Sequence, residues 1–355
     1  MTESPDEIRS HVEAQVRRHL IGFGPLRAVT ALHSKKRVYS SVMRFRLCFE
    51  SQELDACVKI HRRSDTPGSE KRTVWAGKEF ELLKIFHAAQ GRAAQLSVVR
   101  PLLLLPDLPG ILLETHPGQI LSAVLNRRRL GLAGWRGSRQ ELERHYAAVG
   151  SSLREFQDVS TTDAETQTAL SGFPFRERGA PEVLADAEDG FRKALARVRP
   201  GHRPRAEEAF SASREAFLAS TSAGFPRVGV HGDFTPVNVF VHQGRVTLFD
   251  FVNFHWGHMF EDVSRFVGYT YFLQKDPLSF RPIDISALIS AFLEGYRLPG
   301  WRTDPVLGFF FKKSMCRTLG GGLRFQSKRW PWNTLYEKAM LRVFHRWIDQ
   351  GMTLA

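Results

Sequence analysis

The chain has 355 residues, of which 43% are hydrophobic and 25% charged, proportions that support a buried core and exclude a mostly disordered polypeptide. Its 50 lysines and arginines against 37 acidic residues give a net charge of +13, which asks for an anionic partner such as a phosphate-bearing ligand, nucleic acid or an anionic membrane surface. Three cysteines without C-x-x-C spacing argue against a disulfide framework or a cysteine-rich zinc site and fit a reducing, cytoplasmic compartment.

The charge is not spread evenly. Arg27 to Arg46 holds six basic and no acidic residues, and Trp301 to Ala355 holds ten basic and three acidic. These two stretches account for the whole surplus. The N-terminus has no apolar signal-peptide core, and no apolar run approaches the ~18–20 residues of a bilayer span.

In chain order, residues 5–20 predict a helix. Near-alternation from Val38 to Phe49, a polar turn, and alternation again from Leu54 to Ile60 predict a β-hairpin. A basic loop, Arg62 to Arg72, precedes a helix over Trp75 to Ala89. On that helix Glu79, Leu83 and Phe86 share one face. Strands follow over Val98 to Leu105 and Ile111 to Glu114, and Pro117-Gly118 breaks the chain. Beyond it helices dominate, with a capping-box pattern at Ser138 and Glu141 and a core stripe at Leu142, Tyr146, Val149, Leu153 and Phe156. The expectation is an α+β chain in two parts, a β-rich one over residues 1–116 and a larger, mainly helical one over 117–355.

The most informative stretch joins two apolar strands by the loop His231-Gly232-Asp233-Phe234-Thr235-Pro236-Val237-Asn238, with Asp250-Phe251 after the second strand. The pattern H-G-D-x-x-x-x-N matches the spacing of the protein-kinase catalytic loop H-R-D-x-x-x-x-N, and Asp250-Phe251 stands where the metal-binding D-F-G would. Phosphoryl transfer needs a carboxylate beside the accepting hydroxyl, which is Asp233. It also needs hard oxygen ligands for Mg²⁺, which are Asn238 and Asp250. A lysine for the ATP phosphates and a helix glutamate to hold it are found in Lys59, within Cys57-Val58-Lys59-Ile60, and Glu79.

On these residues the sequence resembles the aminoglycoside phosphotransferase/choline kinase-like family, the small-molecule branch of the protein-kinase-like fold. The similarity is strongest at His231 to Asn238, Asp250-Phe251 and Gly257 to Asp262, and looser over Lys59, Lys78 to Leu83 and Leu112 to Gly118. It implies a two-lobed fold, with one key helix in the β-rich N-lobe and a larger, mainly helical C-lobe. In such a protein His231 would brace the catalytic loop and Asp262 would order it. Glu114, Thr115 and His116 would form the hinge that pairs with adenine. The nucleotide loop Ser34 to Ser40 departs from the family in having no glycines; Lys36 is the candidate phosphate contact there.

The activity implied is transfer of the ATP γ-phosphate, with Mg²⁺, to a hydroxyl of a small molecule or saccharide-like acceptor. The basic C-terminal region favours a neutral or anionic acceptor over a polycationic one. A catalytically silent, nucleotide-binding or interaction protein on the same fold is the alternative, and no nucleic-acid-binding module is recognisable. Trp330, Trp332 and Trp347 with Lys328, Arg329, Arg342 and Arg346 read first as a helical subdomain with a solvated basic face. Their second reading is a surface for a phosphate-bearing substrate or for peripheral membrane contact. His255-Trp256-Gly257-His258 reads as loop or cleft wall, and Gly320-Gly321-Gly322 as a flexible turn.

Overall fold

The computed structural model describes residues 4–36, 40–61, 69–105, 107–129, 138–221, 224–273, 283–321 and 331–353. Two compact units emerge, Met1–Gly118 with Thr247–Val252, and Gln119–Val246 with Asn253–Ala355. The first unit is therefore not one continuous stretch: a short segment far along the chain belongs to it, and Asp250 lies in that segment.

The first unit carries α1 (Pro5–His19), the strands β1 (Leu26–Lys36), β2 (Ser40–Phe49) and β3 (Glu53–His61), then α2 (Ser69–Ala89), β4 (Pro101–Leu105) and β5 (Gly110–Glu114). The strands form an antiparallel sheet in the order β1-β2-β3-β5-β4. The hairpin read from the alternation is β2–β3, with Val42 opposite Lys59. One face of the sheet packs with Ile8, Val12 and Val16 of α1 into a core around Phe45, Leu47, Ala56, Val58 and Leu112. Ser4 caps α1 by accepting from the Glu7 amide at 3.2 Å while Glu7 accepts from the Ser4 amide, and Pro5 pre-sets the first turn.

Two elements differ from expectation. β1 was hidden because only Leu26 and Val29 of its first ten residues are buried; the rest are exposed and partly basic, as befits an edge strand. It extends into what the sequence suggested as the nucleotide loop, whose residues 37–39 lie outside the described residues. The strand expected from Val98 begins only at Pro101. Val98 instead forms an isolated parallel bridge with Leu248, while Gln90 Oε1, just past α2, accepts from the Val98 amide at 3.1 Å and His87 Nδ1 lies 3.2 Å from the Val98 carbonyl.

The second unit begins with β6 (Gln119–Ile120) and α3 (Leu121–Arg129), followed by α4 (Arg139–Thr162), α5 (Ala164–Ser171), α6 (Ala180–Leu195) and α7 (Arg203–Thr221). Next come β7 (Arg227–Val230), β8 (Val239–His242), β9 (Arg245–Leu248), along which the chain passes into the first unit, and β10 (His255–His258). α8 (Phe260–Phe272), α9 (Ile285–Gly295), α10 (Pro305–Gly321) and α11 (Pro331–Asp349) complete it. The α4 stripe Leu142, Tyr146, Val149, Leu153 and Phe156 is fully buried, and the Ser138 hydroxyl caps the helix at the Glu141 amide. α4 crosses α9 closely enough that a Cβ on Gly150 would lie 2.0 Å from the Phe292 carbonyl oxygen. Only glycine permits that crossing.

His255 to His258 is strand rather than loop, paired antiparallel with β7. Gly320 and Gly321 are helical, not a flexible turn: Gly320 lies where α10 meets α6, and a Cβ there would come within 2.9 Å of Lys193 Cβ. In the C-terminal region Trp347 is core, while Arg342 and Arg346 are exposed. Lys328 to Trp330 lie outside the described residues, and of Trp332 only the helical backbone is described. Among the described residues no helix is long and apolar enough to cross a membrane.

Candidate active site

In the first unit Lys59 projects from β3 into a buried ion cluster. Its Nζ donates to both Glu79 carboxylate oxygens, at 2.7 and 2.8 Å, and to Asp250 Oδ1 at 2.8 Å. Glu79 stands on α2 and is 1% exposed, while the Asp250 side chain retains 26% exposure. His61 Nε2 lies 3.0 Å from Glu79 Oε2. Burial by itself would push the Lys59 ammonium down, but Glu79 and Asp250 outweigh it and carry the group up to about 12. The lysine is therefore charged at any physiological pH. Asp250 adopts φ 71°, a left-handed backbone uncommon outside glycine. Beside it, Phe251 stacks on Phe86 with ring centroids 5.4 Å apart.

The proposed hinge residues also lie in the first unit. The Glu114 amide donates to the Arg100 carbonyl at 3.0 Å and the Thr115 amide to the Asp55 carbonyl at 2.8 Å. Both donors are thus already engaged within the unit, so a base pairing here would use other backbone groups of the segment. His116 Nδ1 accepts from the Gly118 amide at 2.9 Å and its Nε2 lies 3.0 Å from the Thr247 hydroxyl. Lys36 ends β1, and its side chain lies outside the described residues.

In the second unit the loop after β7 is pinned from below. Asp262, at the start of α8, accepts from the His231 amide at 2.7 Å and the Gly232 amide at 3.0 Å. Gly232 has φ 81° and leaves no room for a side chain, since a Cβ would fall 2.3 Å from the Asn253 carbonyl oxygen. His231 is fully buried; its Nδ1 accepts from the Asp233 amide at 3.3 Å and its ring packs edge-on against Phe156 and Phe234. Asp233 is left about one-third exposed. Asn238 Nδ2 donates to Asp233 Oδ2 at 3.0 Å and to the Asp233 carbonyl at 2.9 Å, closing the loop across the five-residue step. Arg265 donates to the other oxygen, Asp233 Oδ1.

Sequence reading missed Arg265. The signal was faint but present, because a position three residues after Asp262 lies on the same face of a helix. Sequence reading also missed a second group around the loop: Arg178, Asp186, Lys313 and Arg317, gathered about Glu261. No local spacing joins these residues.

The antiparallel sheet of the first unit and the larger, mainly helical second unit make this an α+β protein of the protein-kinase-like class. A model of the phosphotransferase enzyme family (APH) matches residues 50–304, and the chain belongs to that family. Among solved structures it is similar in fold to an amicoumacin kinase in complex with AMP-PNP and Ca²⁺, with 17% identity, coverage of 99% of this chain and 98% of that one, and a TM-score of 0.51. A choline kinase from Cryptosporidium parvum Iowa II shows 12% identity, 97% coverage of each chain and a TM-score of 0.53. A glucosamine kinase in complex with glucosamine, ADP and inorganic phosphate shows 16% identity, coverage of 92% of this chain and 84% of that one, and a TM-score of 0.52. Comparison with curated proteins gave no match.

Proposed function

We propose that this phosphotransferase moves the γ-phosphoryl group of ATP, taken with Mg²⁺, to a hydroxyl of a small-molecule acceptor. The observation that carries the reading is the buried Lys59 held by Glu79 and Asp250 at once. A silent scaffold has no use for a lysine fixed between a helix carboxylate and the Asp-Phe aspartate, whereas phosphate binding does.

Each residue then has a task. Lys59 holds the ATP phosphates, and the segment Glu114 to His116 reads adenine. Asp250 and the side-chain oxygen of Asn238 are the hard donors suited to Mg²⁺; the Asn238 amide nitrogen already faces Asp233, which leaves that oxygen for the ion. The metal, when bound, neutralises phosphate charge. Asp233, oriented by Arg265 and Asn238, takes the acceptor hydroxyl proton as that oxygen bonds to the γ-phosphorus, and the bond to the ADP oxygen breaks with its electron pair leaving on ADP. His231 holds the loop from beneath, and the Asp262 contacts fix its backbone.

The test is Asp233→Asn in a screen of hydroxylated metabolites with labelled ATP. Turnover should fall on the order of 10²–10⁴-fold while ATP binding persists. Wild-type turnover in that variant would refute the assignment.

A further inference from the structure

β3 carries different chemistry on its two faces. Ala56, Val58 and Ile60 join the core shared with α1, whereas Lys59 and His61, two positions apart, stand on the opposite face. His61 is buried, at 4% exposed. Its backbone is fixed, since its amide donates to the Pro109 carbonyl at 3.1 Å and it pairs with Ser40 across the ladder. Its ring Nε2 lies 3.0 Å from Glu79 Oε2, yet off the line of a hydrogen bond. Among the described residues this buried nitrogen therefore has no hydrogen-bond partner. A buried polar atom in that state beside a carboxylate needs a physical reason.

The ring proton can be placed from its neighbour. Both Glu79 oxygens accept from Lys59, and an ionised carboxylate presents only lone pairs. A lone pair on His61 Nε2 would face them and repel. The hydrogen therefore sits on Nε2, and His61 is a second donor beside Glu79 Oε2.

The bonds of Lys59 show why a second donor matters. An ammonium has three N–H groups, and all three are committed here, two to Glu79 and one to Asp250. To hold a phosphate oxygen the lysine must turn one of them away. When the one on Glu79 Oε2 turns, a carboxylate only 1% exposed is left with an oxygen short of a donor, which is costly out of water. A small turn of the His61 ring fills that place.

We propose that His61 is a positioning residue for nucleotide binding, a role that rests on the phosphotransferase reading of Lys59. It takes over Glu79 Oε2 as Lys59 passes an N–H to the phosphates. That keeps Glu79 in place and lowers the cost of the exchange. His61 touches no substrate in this scheme and acts through Glu79 alone.

The test is calorimetric titration of AMP-PNP with Mg²⁺ into the full chain. The proteins compared are wild type, His61→Leu, His61→Asn, His61→Gln, Glu79→Gln and the double variant His61→Leu/Glu79→Gln. Leucine keeps much of the bulk without a donor, asparagine reaches only as far as the histidine Nδ1, and glutamine returns an N–H at the reach of Nε2. Binding should weaken about tenfold in His61→Leu and in His61→Asn, and recover to within about threefold of wild type in His61→Gln. In the Glu79→Gln background, His61→Leu should cost about twofold or less, because the carboxylate it serves is gone. Should His61→Leu fail to fold, the asparagine and glutamine pair carries the same expectation.

A merely structural histidine would not be restored by glutamine at the one reach and not by asparagine at the other. Wild-type affinity in both His61→Leu and His61→Asn, equal weakness in His61→Gln, or an undiminished loss in the Glu79→Gln background overturns the role. No binding of AMP-PNP to wild type sinks the phosphotransferase reading instead; binding that ignores His61 leaves that reading standing.

Discussion

Lys59 sits between two carboxylates, Glu79 and Asp250, whereas Glu261 and Asp186 sit among three cations, Arg178, Lys313 and Arg317. Both are largely buried ion networks. The first leaves a negative surplus on Asp250, whose side chain is 26% exposed; in the second the third cation is Arg317, whose side chain is 55% exposed. An unbalanced charge in low dielectric is costly, because water no longer screens it. Water reaches the Arg317 charge more readily than that of Asp250. The difference teaches that where the leftover charge sits, rather than the number of ion pairs, is the informative quantity.

The comparison can be broken most directly at Asp250. Asp250→Asn removes the negative surplus and should weaken Mg²⁺-dependent nucleotide binding by on the order of 100-fold or more; an unchanged calorimetric titration of ATP with Mg²⁺ would end the metal assignment. Lys59→Met leaves Glu79 buried without its cation. It should cost about 3–5 kcal/mol of stability in denaturant unfolding, and a loss below ~1 kcal/mol would show that the lysine is not bound as described.

The second network is probed through acid. Glu261 has its carboxyl held at about 2 against an ordinary 4.5, so its stabilisation is complete above pH ~4.5 and is lost as pH falls toward 2. The shift corresponds to on the order of 3 kcal/mol. Glu261→Gln should therefore destabilise the protein by that order at pH 7 and by much less near pH 2, read from paired urea titrations. An equal penalty at both pH values would mean that the carboxylate charge is not what the cations hold.

The smallest effect sharpens the comparison from next door. Lys312 neighbours Lys313 on α10 and is equally buried, yet among the described residues no carboxylate pairs with it, and burial pushes it down to about 8. Below pH ~8 it is charged at a cost; above its ordinary 10.5 that cost is gone. Lys312→Met should raise stability by about 1–2 kcal/mol at pH 7, with the gain shrinking as pH climbs from 8 to 10.5. A stabilising effect of Lys313→Met as large as that of Lys312→Met would contradict the sharing of two carboxylates by Lys313.

Much of the first network, and of the loop around Asp233, was legible beforehand. His231 to Asn238 and Asp250-Phe251 are local patterns, and the chemistry constrains their spacing, so the string carries them. Lys59 and Glu79 could be anticipated from a hydrophobic face and an alternating strand. Arg265 needed one further step, the same-face rule from Asp262. The Arg178 group was not legible, because its members come from the segment before α6, from α6 itself, from α8 and from α10, and nothing in their sequence neighbourhoods marks them. The +13 was visible at once, but not that Lys313 and Arg317 of the basic C-terminal stretch face the loop of Asp233 while Arg342 and Arg346 face solvent.

The sequence by itself determined the α+β character, the H-G-D-x-x-x-x-N pattern and the segments that carry the charge surplus, since periodicity and short-range spacing are properties of the string. Tertiary structure decided that Thr247–Val252 joins the first unit, that β1 is an edge strand, that Gly320 and Gly321 are helical, and which of the many basic side chains gather about Glu261 and Asp186. The physical reason is that ion pairing and desolvation act through space. They are settled only when distant segments are packed against one another.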